Sequence, residues 1–541
     1  MHAKIKIWTR VATMFIVSLF VLSACAGAHT NEKVLRVARE IPSNTVNYLM
    51  NEMVNNGQII ANFSEGLVMY NDEGTLVGGL AKSWDKKDNV YTFHLRNGLK
   101  WSNGTPLTAA DFVFGWQTVA TLPEAPYSYF ITDLLENGVD VVNGNKPPAE
   151  LGVKALDDVT LQVTLIQERV YALDLLAHET FLPLNEAFYN EVGADNYGSS
   201  AQTVIASGPF VLSEYNPSEG YVLTKNPLYW DAVNVALDKV DTRVIKESTT
   251  QETLYSNDEL DVLEIPANLY DKYKDDKSLV EMSYHRLYYF YVSGDTATPA
   301  PVLANNDFRR ALSFAIDKEV LATNVFKDGT LPLDYLVPKD FGSVEGKPYR
   351  TFTGEGVDNT YKFDVVKAQE YFAKAQATLG MNELTLRISY QEKEENKRVF
   401  ENIQAQLETN LPGLKVVLES LPGQTYFKEI LKGATPAGYS GWTPSYNDMA
   451  SYFQVFLSDN SLNFSNYNNP EYDKLYKAAQ AEIDPVKRAK ILHRAETILL
   501  DDGVVIPLAQ RGKRYVVKDK LKGFNFSSTY PEIKFRYMKL V

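Results

Sequence analysis

Apolar and polar positions alternate most clearly from Val90 to Arg96, where Tyr91, Phe93 and Leu95 fall on one side of the chain and Val90, Thr92, His94 and Arg96 on the other. A period of two predicts a half-buried strand. Elsewhere the period lengthens. Ile59, Ile60, Phe63, Leu67 and Val68 recur near helical spacing within 58–70, and Asn71-Asp72-Glu73-Gly74 closes that stretch with turn chemistry. Val34 to Ala38 reads as a first strand. Thr108 is placed to cap a helix that begins at Ala109, with Asp111 positioned to complete a capping box. Later, 364–379 is patterned as a helix ended by Gly380, 384–388 as a strand, 396–411 as a helix and 415–418 as a strand; the charged run 391–398 reads as a solvated helix start. Strands alternating with helices imply an α/β protein with a mostly parallel, doubly wound sheet.

Length adds that the core is divided. At 541 residues the chain exceeds the size, about 250–300 residues, at which single cores stop growing, so two or three lobes are expected. Apolar residues at 45% supply interiors for them, and 33 tyrosines suit broad contact surfaces as well as cores. The amino terminus combines Lys4, Lys6 and Arg10 with an apolar run from Val11 to Leu22 and ends Leu22-Ser23-Ala24-Cys25. That run is short for a bilayer span of about 20 residues and has the parts of an export signal. Its ending resembles a bacterial lipobox, which implies cleavage after residue 24 and a lipid on Cys25. Cys25 is the only cysteine, so an intrachain disulfide is excluded. Loss of the three basic residues takes the net charge from -14 to -17, which disfavours nucleic acid and leaves lipid as the membrane link.

One late stretch, Ala437 to Asp448, reads AGYSGWTPSYND. Gly441 lets another backbone approach, and Trp442 and Tyr446 offer flat faces with polar tips; a buried strand followed by a turn explains the same pattern. Catalytic chemistry is not legible. The six histidines sit in unrelated contexts, no H-E-x-x-H, G-x-S-x-G or Walker pattern occurs, and His493 with Glu496 reads as a solvent-facing pair rather than a metal site. No enzyme, metal or cofactor is expected.

The block from Leu80 to Trp116 carries a resemblance. Ala81 to Trp84, Tyr91 to Gly98, Lys100 to Pro106 and Thr108 to Val113 closely resemble, in order, the signature of extracytoplasmic solute-binding proteins of the peptide and nickel ABC-transporter family. Similarity continues through Gly208 to Phe210, Lys225 to Trp230, Phe308 to Lys318, Phe464 to Tyr472 and Ile506 to Leu508. The resemblance implies a two-lobed periplasmic-binding-protein-like fold with an inserted domain and a ligand cleft between lobes. It divides the chain into a signal at 1–24, a tether at 25–33, a first lobe from 34–70, 198–297 and 511–541, an inserted domain at 71–197 and a second lobe at 298–510.

It further implies an oligopeptide ligand, permease subunits as partners, a monomer, and a lipid-anchored place on the outer face of a cell membrane, in a Gram-positive host. Dedicated binding of hydrophobic signalling peptides, of another solute, or adhesion and sensing are the alternatives. By the same resemblance Gly441, Trp442 and Thr443 line the cleft, Glu52 and Val54 face them, and Tyr127, Tyr129, Tyr289 and Tyr439 fall near aromatic pocket walls. Tyr446, Asn447 and Asp448 are retained from a pattern whose first Asp pairs with the ligand's amino terminus, but this chain has Ser445 there. A buried ammonium left without its carboxylate costs about 3–5 kcal/mol. Anchoring through apolar side chains against Trp442, Tyr439 and Tyr446 is therefore expected, with Asp448 the available substitute carboxylate.

Overall fold

Ala81–Lys87 and Val90–Leu95 form a hairpin, extended by Thr160–Thr164 and Val153–Asp157 into a four-stranded antiparallel sheet. Its alternation is the one read from sequence: Tyr91, Phe93 and Leu95 are buried. The helix Ala109–Thr121 begins where Thr108 N–H donates to the Asp111 carboxylate at 2.7 Å, and it sets Phe112 and Trp116 into the same core. These elements all lie within 71–197. The computed structural model describes residues 32–51, 54–293, 302–352, 361–460, 462–524 and 533–541. The leader, Cys25, most of the tether and Glu52 lie outside them; Val54 opens the helix Val54–Phe63.

A second sheet belongs to the first lobe. Val34–Arg39 pairs parallel with Lys239–Val244, which continues antiparallel into Gly220–Lys225 and Phe210–Asn216. One contiguous core joins this sheet to the inserted domain, running from Leu35 through Phe63, Phe93 and Trp116 to Phe535. Separating the two would return that apolar surface to water.

The third sheet has seven strands, in the order Val262–Glu264, Val505–Val517, Leu279–Val292, Ala437–Trp442, Leu384–Gln391 and Leu414–Leu421, with Leu331–Pro332 off this path. Only the pairings made by Leu384–Gln391 are parallel. The mostly parallel sheet expected from the helix–strand alternation is thus corrected to a mixed one. The reason is a pair of long strands, Leu279–Val292 and Val505–Val517, that pair antiparallel over nearly their whole length. Register breaks between Ser283 and Leu287 and again between Tyr288 and Tyr289. The expected boundary at 511 falls inside Val505–Val517, which runs through it unbroken.

Side chains alternate across this sheet into two cores. Phe290, Val292, Ile506 and Leu508 face one helical layer; Leu287, Tyr289, Tyr291 and Val505 face the other. The first layer includes the helix Val365–Leu379, capped by Asp364 on Lys367 N–H at 3.1 Å and ended by Gly380 at φ 65°. In the second layer Glu496 is fully buried, not solvent-facing as its spacing with His493 suggested. Burial pushes its carboxyl up, but the Arg350 guanidinium, donating at 2.7 Å, and Leu336 N–H, also at 2.7 Å, hold it down at about 2.

Candidate functional site

The strand Ala437–Trp442 is half an edge. All six of its residues pair with Leu279–Val292 on one side, but on the other it meets Leu384–Gln391 only at Gly438 and Ser389. Beyond that point its outer backbone groups need other partners. The Tyr426 hydroxyl serves Tyr439, donating to its carbonyl at 2.6 Å and accepting from its N–H at 3.1 Å. Successive residues alternate direction, so Gly441 turns its N–H and carbonyl to the same side as Tyr439, one step further along. No hydrogen bond to these two groups occurs among the described residues.

Arg286 explains the glycine. A Cβ built on Gly441 would stand 2.7 Å from Arg286 Nε, so the close approach expected there is made by a guanidinium rather than by a backbone. Arg286 lies in the first register break and also stacks over Tyr288 at 5.4 Å. Next to Gly441, two side-chain atoms are buried with no hydrogen-bond partner among the described residues: Trp442 Nε1 and Thr443 Oγ1. Buried polar atoms left unpaired cost about 1–3 kcal/mol each. Both atoms have hydrogen bonds to offer an incoming polar group.

The strand's first half is walled by aromatic rings. Tyr439 is half-buried, with Tyr288 and Tyr426 each at 5.9 Å and Phe400 at 5.2 Å, and burial followed by the nearby Tyr288 pushes its hydroxyl pKa up. Arg511 covers Tyr288 and Phe326 and pairs with Asp328 at 3.0 Å and Glu395 at 3.2 Å. Tyr289 points away into the helical layer against Phe456 and is buried.

Past Thr443 the chain crosses to the inserted domain. Ser445 N–H donates to Ser451 Oγ at 3.1 Å. Tyr446 is 2% exposed, stacked on Tyr171 at 5.1 Å and edge-on to Phe130 at 6.0 Å. Phe130 is in turn packed by Tyr127 and Tyr129, which places those two beside Tyr446. The contact is reinforced by Tyr171 and Arg169, which both donate to Gln480 of the second lobe. Tyr446 thus serves as a wedge between domains rather than the ligand-facing ring expected.

Asp448 is likewise committed. Arg488 donates to both its oxygens, at 2.7 and 2.6 Å, and Ala450 N–H adds a third bond at 2.8 Å. The expectation of a free substitute carboxylate at Asp448 is therefore not met. Asn447 is exposed, and its backbone N–H faces the Tyr70 hydroxyl. Tyr70 donates at 2.6 Å to Asp174 of the inserted domain. Burial raises the Asp174 carboxyl to about 6; the Tyr70 hydrogen bond opposes this, and the nearby Asp448 adds to it.

Sequence reasoning missed Arg286, Tyr70 and Asp174. Arg286 carried a faint signal, as a cation immediately before the apolar and aromatic run from Leu287 to Val292. Asp174 carried none, since it meets this site only through folding. Among the described residues no helix is long and apolar enough to cross a membrane. Nor do three His, Cys, Asp or Glu side chains among them converge on a metal position.

Known proteins share this architecture. The family model for bacterial extracellular solute-binding proteins, family 5, matches residues 75–464. The periplasmic oligopeptide-binding protein OppA of Salmonella typhimurium is 30% identical over 472 residues, 85% of this chain and 84% of its own. The structure of Listeria monocytogenes OppA bound to peptide superposes with a TM-score of 0.83 at 31% identity, covering 95% of this chain and 100% of that one. The pheromone receptor PrgZ gives a TM-score of 0.84 at 26% identity, covering 94% and 100%. This chain therefore belongs to the bacterial extracellular solute-binding proteins of family 5.

Proposed function

We propose that this protein captures oligopeptides in the cleft between its lobes and delivers them to the permease subunits of an ABC importer, acting as a monomer held on the outer face of the cell membrane by a lipid on Cys25. As a solute-binding protein it holds its ligand without converting it. The open edge at Gly441 carries the reading. An extended peptide laid along it completes the missing ladder through its own main chain, which gives affinity without reading side chains. Trp442 Nε1 and Thr443 Oγ1 then find partners on the ligand or on water trapped with it.

Mass spectrometry of ligand released from the purified protein tests this. A mixture of short peptides is expected; a bound sugar, or a protein that neither carries nor takes up peptide, overturns it. One apolar peptide in place of a mixture would identify a signalling receptor, the role named for PrgZ. Anchoring is tested separately: Cys25→Ala is expected to move the protein from the membrane fraction to the medium, and unchanged fractionation would exclude the lipid.

A further inference from the structure

The carboxylates around the cleft strand and its continuation differ in what they hold. Asp448 is bound on both oxygens by Arg488. Asp328 and Glu395 share Arg511. Asp174 has no cation among the described residues; it receives the Tyr70 hydroxyl on Oδ1 and stands near Tyr91 and, across the domain boundary, Asp448. It is half-buried, so at least part of the side chain remains reachable. A carboxylate in that setting is short of one positive charge.

The charge every unmodified peptide brings is its amino terminus. Resting on the peptide reading above, we propose that Asp174, presented by the inserted domain and held by Tyr70, receives the ligand's amino-terminal ammonium at the Ser445 end of the strand. The geometry that supports this is the 2.6 Å bond from Tyr70 to Asp174, with the Asn447 backbone facing the same hydroxyl. Asn447 N–H faces the Tyr70 hydroxyl, that hydroxyl donates to Asp174, and Asn447 lies two residues beyond Ser445 on the segment that continues the cleft strand. Tyr70 and Asp174 are joined by a hydrogen bond and Asn447 comes from the other lobe, so the pocket is complete only when the lobes meet.

This inference reverses the expectation drawn from Ser445. The serine removes a carboxylate from the second lobe, and the opposite wall supplies one. It also assigns the raised Asp174 carboxyl a role: a neighbouring ammonium draws it back to the ionised form, so ligand binding near pH 6 releases a proton. The groups facing Asp174 are Tyr70, Tyr91 and Asp448, and Asp448 is held on both oxygens by Arg488.

The test uses two synthetic hexapeptide libraries without Lys, Arg or His, one with free and one with acetylated amino termini, retained on the full-length protein and counted by mass spectrometry. The free library should be favoured by about ten- to a hundredfold, the value of a charge-assisted hydrogen bond. Asp174→Asn should bring that ratio to about one, with acetylated peptides retained as by the unmodified protein, which also shows that the variant is folded. Equal retention of both libraries by the unmodified protein, or an undiminished preference in Asp174→Asn, overturns the assignment and leaves peptide capture standing. Retention of neither library by the unmodified protein overturns peptide capture itself.

Discussion

The two ends of the strand Ala437–Trp442 are built on different principles. Around Tyr439 the wall comes from Phe400, Tyr426 and Tyr288, and Arg511 is matched by Asp328 and Glu395. Among the described residues, no ring contact of Tyr439 and no ion pair of Arg511 involves the inserted domain. Past Thr443 the wall exists only as a meeting of two bodies: Tyr446 from one enters a ring of Phe130 and Tyr171 from the other, and Tyr70 with Asp174 closes over the Asn447 amide. One end is a fixed surface. The other is an interface that reports closure, and changes at the two ends should differ in what they disturb.

The largest effect is expected at the interface end. Arg488→Ala leaves Asp448 buried and unpaired, and loss of one partner of a buried pair costs about 3–5 kcal/mol. Urea unfolding should show that loss, together with weaker contact between Tyr446 and the inserted domain. A variant of unchanged stability would mean that Asp448 rearranges to water. At the fixed end, Tyr426→Phe removes the hydroxyl that serves both backbone groups of Tyr439, at about 1–3 kcal/mol. Hydrogen exchange at the Tyr439 amide should quicken while the closed arrangement persists; a shift toward the open form would erase the distinction between the ends.

A smaller, reversible effect should follow pH. With the lobes in contact as they are here, the Asp174 carboxyl is raised to about 6, above its ordinary value of 3.8. Below about pH 4 it is protonated in both forms; between there and about 6 the closed form keeps the proton that the open form has lost; above about 6 both are ionised and the closed form bears a buried charge. Ligand-free closure is thus favoured in acid and lost as pH rises through about 6. Small-angle scattering should record a larger radius at pH 8 than at pH 5, and Asp174→Asn should flatten the curve. The smallest effect belongs to Asn447, whose exposed side chain leaves the work to its backbone: Asn447→Ala should alter stability by less than about 0.5 kcal/mol.

What was legible in the sequence followed from local pattern. The Val90 to Leu95 alternation, the Thr108 and Asp111 cap, and the helix stopped by Gly380 are decided within a few residues, and all formed as read. Strand direction was not legible in the same way. The pairing of Leu279–Val292 with Val505–Val517 joins segments more than two hundred residues apart, so the helix–strand order nearby said nothing about it. The site divided likewise. Its strand was found from composition and resemblance, but whether Tyr446 faces a ligand or a neighbouring domain, and whether Asp448 is free or held by Arg488, are properties of distant partners. Asp174, 271 positions before Ser445, has nothing around it in sequence that announces a role.

The two long strands that pass through the expected boundary at 511 give the molecule a particular mechanics. Because Leu279–Val292 and Val505–Val517 remain hydrogen-bonded to each other with extra residues near His285 and Arg286, a hinge built on them would be a leaf spring rather than a pin. A paired ribbon bends easily across its face and resists shear within its plane. Opening about such a ribbon would be confined to one swing, and a partner resting on both lobes would have a single angle to sense.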